Sequence, residues 1–392
     1  MELLRGAIQP YAWGSKTALA GLLGHTPSGR PEAELWLGAH PVAPGQVGGR
    51  SLLEHIARDP LRALGDLVHE RFGPRLPFLL KILAVDEPLS LQVHPSAAQA
   101  VAGFEREEAA GVPLTGPRRN YKDRSAKPEL IVALTRFDAL CGFRTPDQMV
   151  ERLAKLDCRD LRSTVQMLEG WPDAVGVQGV VHGLLGMNDS ERRDVMAQVT
   201  RALARVRDEG DEYALALELT EKYPGDVGAL LTLLLNRVTL EPGQGLYLSA
   251  GNLHAYLKGV GVEVMASSDN VLRGGLTPKH VDVPELLATL AYELGPVPLV
   301  SPRRDREEEV WDTPAAEFRL SRLSLAKGAA APVRRGPEIL LCTDGEAEVQ
   351  GVKLKKGSAL WLDAADPGYA VTGRGTVYRV TAGVDAPART KR

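Results

Sequence analysis

Hydrophobic and polar positions alternate along residues 89–94, the period of a β-strand. Leu89, Leu91 and Val93 take one face; Ser90, Gln92 and His94 take the other. The run follows an almost wholly apolar segment, so its polar face is expected to line an enclosed cavity. Residues 34–38 and 128–134 read as further strands, and 52–64 as a helix. At 145–148 the texture changes. Thr145 suits an N-cap, Pro146 the first helical position and Gln148 the reciprocal cap. Met149, Leu153 and Leu156 then recur at helical spacing, and 191–207 and 213–223 read as helices before a Pro224-Gly225 break. Strand texture returns at Arg237 and runs to the C-terminus.

The second β-rich region contains a repeat. Residues 240–250 align without gaps on 354–364, with Gly243 on Gly357, Leu246 on Leu360 and Leu248 on Leu362. Beyond them, Gly259 and Gly261 fall on Gly373 and Gly375. A short match is weak, because a turn glycine before an apolar strand is common; two further glycines in register favour a duplicated β-unit. Many short strands with frequent turns point to sandwiches or barrels, and jelly-roll barrels of the cupin type often hold metals. His254 of the first copy faces Gly368 of the second, so a metal is expected only in the first. The expected class is mainly β with an α-helical insertion: two cupin-type jelly rolls plus a helical domain. The expected boundaries are 1–145 with 236–300, then 146–235, then 301–392.

Composition narrows the function. The chain has 392 residues, 44% hydrophobic and 25% charged, and a net charge of −3, so it has no basic bias toward nucleic acid. An anionic substrate would need locally placed cations. Three scattered cysteines exclude a disulfide framework and fit a reducing compartment. No apolar run is long enough to cross a bilayer. A cytoplasmic monomer is the default expectation.

Three segments offer metal ligands: Gln92 and His94, Glu129 at the head of an apolar strand, and His254 after a Gly251-Asn252 turn. Each has a plain alternative: a solvated strand edge, a surface carboxylate, a buried hydrogen-bonded histidine. Together they form a set suited to Zn²⁺, and also to Mn²⁺, Fe²⁺ or Co²⁺. His25, His40, His55, His69, His182 and His280 have no comparable context and receive no role. Downstream, Val260, Val262 and Val264 share a strand face opposite Glu263, and a glycine-containing loop carries Asp269, Asn270, Arg273 and Lys279. That loop reads equally as a charged surface turn or as a rim supplying acid–base and anion-binding groups.

These residues resemble a known family. Tyr11-Ala-Trp-Gly-Ser15, 34–41, 77–95, Asn120-Tyr-Lys-Asp123, Lys127-Pro-Glu129, Ala255-Tyr256 and 268–279 resemble type I phosphomannose isomerases, zinc enzymes of the cupin superfamily. The resemblance covers the first 280 residues, in family order. It implies one zinc per chain on Gln92, His94, Glu129 and His254, with Arg273 as the active-site arginine. It also implies that Lys127, Glu263 and Asp269 act in the reaction and that Lys81, Lys279 and Tyr256 touch substrate. The implied reaction interconverts mannose 6-phosphate and fructose 6-phosphate through a metal- and arginine-stabilised enediolate. The alternative is another cupin metalloenzyme, either a non-haem iron oxygenase or an isomerase of another sugar phosphate. The family often has a histidine just before its Lys-Pro-Glu; here Ser125-Ala126 stands there.

Overall fold

A computed structural model describes residues 1–384 as mostly sheet with several helices. Two antiparallel sheets dominate, of ten and nine strands. The centre of the larger is Phe78–Val85, buried along its whole length and apolar except for Lys81. A strand covered on both faces needs such a continuous apolar run. It lies between Glu34–Leu37 and the thirteen-residue strand His254–Ala266.

That long strand changes partners midway. Residues 254–258 pair with Phe137–Phe143; from Gly259 onward it pairs with Phe78–Val85 and then Glu129–Ala133. Gly259 has φ +132°, and a Cβ there would lie 2.7 Å from the Arg136 carbonyl oxygen. Only glycine fits such a bend. Gly373, its partner in the sequence repeat, has φ +126° and would put a Cβ 2.3 Å from the Glu346 carbonyl oxygen. At this pair the repeat is one of backbone conformation; Gly261 and Gly375 differ, since only Gly375 has a positive φ, +153°.

Helices fill the middle of the chain: Pro146–Lys155, Arg162–Gly170, Ala174–Leu185, Asp189–Val206, Asp211–Lys222 and the short Gly228–Leu231. Their buried faces, including Met149, Leu153, Val199 and Leu230, share one apolar cluster with Leu91, Val93, Leu253, Leu272 and Leu276. The helices thus cover the backs of the strands Leu91–Val93 and Leu272–Gly275. Thr145 and Pro146 open the first helix as expected, but Thr145 makes no side-chain cap, so the reciprocal box is not formed. The helix expected over 52–64 is two helices, Leu52–Arg58 and Pro60–Leu64, because Pro60 cannot continue the hydrogen-bond ladder and restricts Asp59. The strand expected over 89–94 narrows to Leu91–Val93, leaving His94 just beyond its end.

The nine-stranded sheet is built mainly from residues after 302, but Glu2–Leu4 joins it by pairing with Ala359–Leu362. Leu37, Phe78, Ile82 and Val262 of one sheet share an apolar cluster with Trp311, Leu320, Ile339 and Val380 of the other. Inside the second sheet, the guanidinium of fully buried Arg379 donates to Glu338 and Glu308, and Tyr369 Oη donates to Glu338. Such a network holds together only because nearly every charge has a partner.

Candidate metal centre

His94, Glu129 and His254 are buried, and their ligand atoms all lie within 4.8 Å of one another. Each sits at a strand boundary: Glu129 opens Glu129–Ala133, His254 opens His254–Ala266, and His94 follows Leu91–Val93. Both imidazoles are oriented through Nδ1. That of His94 lies 3.0 Å from the Asn270 carbonyl oxygen, and that of His254 lies 3.0 Å from the Asn252 carbonyl oxygen. A carbonyl can only accept, so Nδ1 carries the hydrogen and Nε2 presents its lone pair inward. His94 Nε2 is 3.3 Å from Glu129 Oε1, and His254 Nε2 is 3.7 Å from Oε2. Yet His94 Nε2 makes no aligned hydrogen bond and is buried without a partner.

Burial lowers the pKa of both histidines, that of His254 to about 4. Burial opposes charge on Glu129, yet its carboxyl is held well below its usual value, with a lysine ammonium beside it. The Lys127 ammonium lies 3.2 Å from Glu129 Oε1. Two neutral imidazoles and an ionised carboxylate converging on one point fit a divalent cation, and leave it net positive charge.

Sheet register adds two residues. Gln92 pairs with His254 on one side and Arg273 on the other. Directly opposed residues share a sheet face, so His254, Gln92 and Arg273 form a row across three strands. The Gln92 amide nitrogen donates to Ser90 Oγ at 3.3 Å, leaving its oxygen for another partner. Arg273 is half-buried and has no ion pair or hydrogen bond among the described residues; burial lowers its pKa. Lys279 is exposed, and its pKa is lowered by partial desolvation and by the neighbouring charges of Arg273 and Lys122. Arg273 and Lys122 are thus both close enough to Lys279 to act on it, and such a group of cations suits an anion.

A second buried cluster lies on the long strand. Lys81 Nζ is 3.4 Å from both Glu34 Oε2 and Glu263 Oε2, and 5.2 Å from the Trp36 ring centre. Trp36 Nε1 donates to Glu34, and Tyr256 Oη donates to Glu263 Oε1 at 3.0 Å. Burial opposes the Lys81 charge, but the two glutamates outweigh it and raise its pKa. Burial raises Glu263 to about 7, against the pull of Lys81.

The loop after the long strand is laced to residues 120–125. Asp123 accepts from Ser268 Oγ and from the Asp269 amide, and buried Asn270 donates to the carbonyls of Asp123 and Ser125. Asn270 also accepts from the Lys122 amide, so one residue ties this loop to the His94 ring. His40 completes the arrangement. It is buried, with Nε2 3.2 Å from Asp269 Oδ1, while its Nδ1 accepts from the Val42 amide at 3.3 Å. Nε2 therefore carries the proton and donates to Asp269. Desolvation works against the Asp269 charge, but the His40 contact outweighs it and lowers the pKa.

Each residue named from sequence for this region thus lies in one of these linked clusters. Sequence reasoning gave no role to Glu34, Trp36, His40, Lys122 or Asp123. The available signal was period two: Trp36 stands opposite Lys81 in register, and Glu34 is two positions away. No periodicity could have paired His40 with Asp269, which lies far along the chain.

Comparison with known proteins agrees with this arrangement. Residues 1–146 match the family described as phosphomannose isomerase type I, catalytic domain. The mannose-6-phosphate isomerase of Escherichia coli (strain K12) is 38% identical over 392 residues, covering 97% of this chain and 99% of that one. The human mannose-6-phosphate isomerase is 34% identical over 349 residues, covering 80% and 79%. A crystal structure of mannose 6-phosphate isomerase bound with zinc and yttrium superposes with a TM-score of 0.90 at 37% identity, covering 98% of this chain and all of that one. Likeness sustained end to end in sequence and fold makes this chain a member of the type I phosphomannose isomerase family, the mannose-6-phosphate isomerases.

Proposed function

We propose that the protein is a zinc-dependent aldose–ketose isomerase that interconverts mannose 6-phosphate and fructose 6-phosphate. The observation that carries this is the buried His94/Glu129/His254 group, with both Nε2 atoms turned to the carboxylate. A solved relative is described as bound with zinc, and the donor set here suits that ion. In this reading Gln92 supplies a fourth ligand through its amide oxygen. The bound ion supplies positive charge that polarises a substrate oxygen.

The chain's own residues do the rest. In the open-chain sugar, a proton leaves C2 and one is delivered to C1, while the hydroxyl proton shifts so that the carbonyl ends at C2. No oxidant is consumed. Asp269 is assigned the carbon-bound proton, because His40 holds one carboxylate oxygen and the other has no partner among the described residues. Glu263 is less free, since Tyr256 and Lys81 engage its two oxygens. It is assigned to hold Lys81 and Tyr256 as the substrate-facing wall. Arg273, without a carboxylate of its own, is assigned to donate to the enediolate oxygen, with Lys127 beside it. Lys279 and Lys122 are assigned the phosphate, whose binding energy orients the sugar.

The same reading divides the chain into a metal-holding cupin-type barrel (1–145 and 236–300), a helical insertion (146–235) and a second cupin-type barrel without metal (301–392). Among the described residues no helix is long and apolar enough to cross a membrane, and a cytoplasmic monomer is proposed. The test is a coupled assay of metal-analysed protein with mannose 6-phosphate under nitrogen. Turnover without oxygen supports the isomerase. Zinc-replete protein that turns over no mannose 6-phosphate refutes it. Activity only with iron and oxygen favours the oxygenase alternative.

A further inference from the structure

Arg273 lies on a strand that is braced from behind. Leu272–Gly275 pairs with Leu91–Val93, and its register slips between Arg273 and Gly275. The backbone then turns through Gly275 at φ +130° and Leu276 at φ +57°. A β-irregularity followed by two positive φ values would not hold one geometry unaided, least of all at a non-glycine residue.

The support comes from Asp226, in the segment just before the helix Gly228–Leu231. One carboxylate oxygen accepts from the Gly228 amide at 2.7 Å; the other accepts from the Leu276 amide at 2.7 Å. No cation pairs with Asp226 among the described residues, so its charge is directed wholly at two backbone donors. The two backbones also touch. A Cβ on Gly275 would fall 2.8 Å from Gly228 Cα, and a Cβ on Gly228 would fall 3.0 Å from Gly275 Cα. Leu276 and Leu272 are buried in the same apolar cluster as Ala229, Leu230 and Leu231.

We infer that Asp226 is a positioning residue, holding the Arg273 strand at the distance from the metal centre that the reaction needs. The helical segment acts through it as a rigid backstop. This rests on the role proposed above for Arg273. Removing the brace lets Arg273 drift without removing any group that touches substrate.

The test is a double-mutant cycle on the zinc-loaded full chain. Asp226→Asn keeps one acceptor but turns an amide NH₂ toward a backbone donor. It is expected to retain zinc and a single cooperative unfolding transition, with kcat reduced about tenfold or more and KM nearly unchanged. In an Arg273→Ala background the same change should cost less than about twofold, because the residue it positions is gone. An equal fold-loss in both backgrounds would mark Asp226 as merely structural and overturn the inference, as would an unchanged kcat in the single variant. Should Asp226→Asn fail to fold, Gly228→Ala, whose Cβ would fall 2.9 Å from Asp226 Oδ1 and 3.0 Å from Gly275 Cα and so disturb the same brace, takes its place in the cycle under the same criteria. The two readings fail separately. An active Arg273→Ala sinks the role of Arg273 itself; an impaired Arg273→Ala beside a fully active brace variant sinks only the brace.

Discussion

Replacing Lys81 with Met isolates the charge that holds two buried carboxylates together. The ammonium lies 3.4 Å from Glu34 Oε2 and from Glu263 Oε2. Each attraction is worth about 5 kcal/mol at an effective dielectric of about 20, before the desolvation of the ions is subtracted. Breaking a buried pair from one side costs roughly 3–5 kcal/mol net. The pH dependence is the sharper signature. Burial raises the Glu263 pKa from 4.5 to about 7, despite the opposing charge of Lys81. A carboxyl raised on folding favours the folded state while it keeps its proton, fully below its unfolded value, and that help is lost as pH climbs through the folded value. In the wild type the loss is complete a little above neutrality. In Lys81→Met the counter-charge is gone, Glu263 stays protonated to higher pH, and stability keeps falling by about 1.4 kcal/mol per pH unit. The gap between the two proteins should therefore widen by about 2 kcal/mol from about pH 7 to about pH 8.5. Urea unfolding of both zinc-loaded proteins across that range measures it; metal binding has its own pH dependence, which largely cancels in the difference. A gap that stays constant with pH would refute the argument.

Ala in place of Gln92, His94, Glu129 or His254 should lower zinc content and activity together; elemental analysis is the check, and full occupancy in His254→Ala removes that residue from the site. Arg273→Ala should keep zinc and fold but lose kcat by roughly 10²-fold or more, and Arg273→Lys should recover only part of it, lacking the planar fork; steady-state kinetics with kcat unchanged would end the assignment. Free mannose should be a far poorer substrate than mannose 6-phosphate, and Lys279→Ala should narrow that gap chiefly through KM; similar kcat/KM for the two sugars would contradict the cation cluster. His40→Asn should leave zinc content intact while kcat falls roughly tenfold, since Asp269 loses its buried donor; an unchanged pH–rate profile would show that His40 does not act through Asp269.

Local chemistry was legible in the sequence where it repeats at short range. Alternation put Gln92 and His94 on one strand face, Lys127-Pro-Glu129 marked a strand head, and the glycine register exposed a repeat in which Gly259 and Gly373 prove to share a bend. What escaped depends on long-range register. His40 reads as an unremarkable histidine until the fold sets its Nε2 3.2 Å from Asp269. Glu34 and Trp36 acquire meaning only because their strand lies beside Lys81. The N-terminal strand Glu2–Leu4 carries no sign that its partner is Ala359–Leu362. The missing Thr145 side-chain cap shows the limit of local signals too, since Pro146 and the packing of Met149 and Leu153 suffice to start that helix.

The two glutamates of the long-strand region show how neighbouring buried positions set opposite behaviour in identical side chains. Among the described residues the Lys127 ammonium pairs with Glu129 alone, 3.2 Å from Oε1, and Glu129 stays ionised as a ligand must. Glu263 shares one ammonium with Glu34 and also meets the field of Glu129, so negative charge outnumbers positive and its pKa rises to neutrality. Both are buried, so desolvation alone cannot separate them; whether the facing ammonium is shared with a second carboxylate does. Lys81 pairs in register with Glu263, and Met265, two residues further along the same strand, pairs with Glu129. The division is therefore written into strand register. A one-residue slip of His254–Ala266 would turn Glu263 to the opposite face and break the pairing of His254 with Gln92. The metal centre and the buried ion cluster are in this sense one object, held in place by the pairing of a single bent strand.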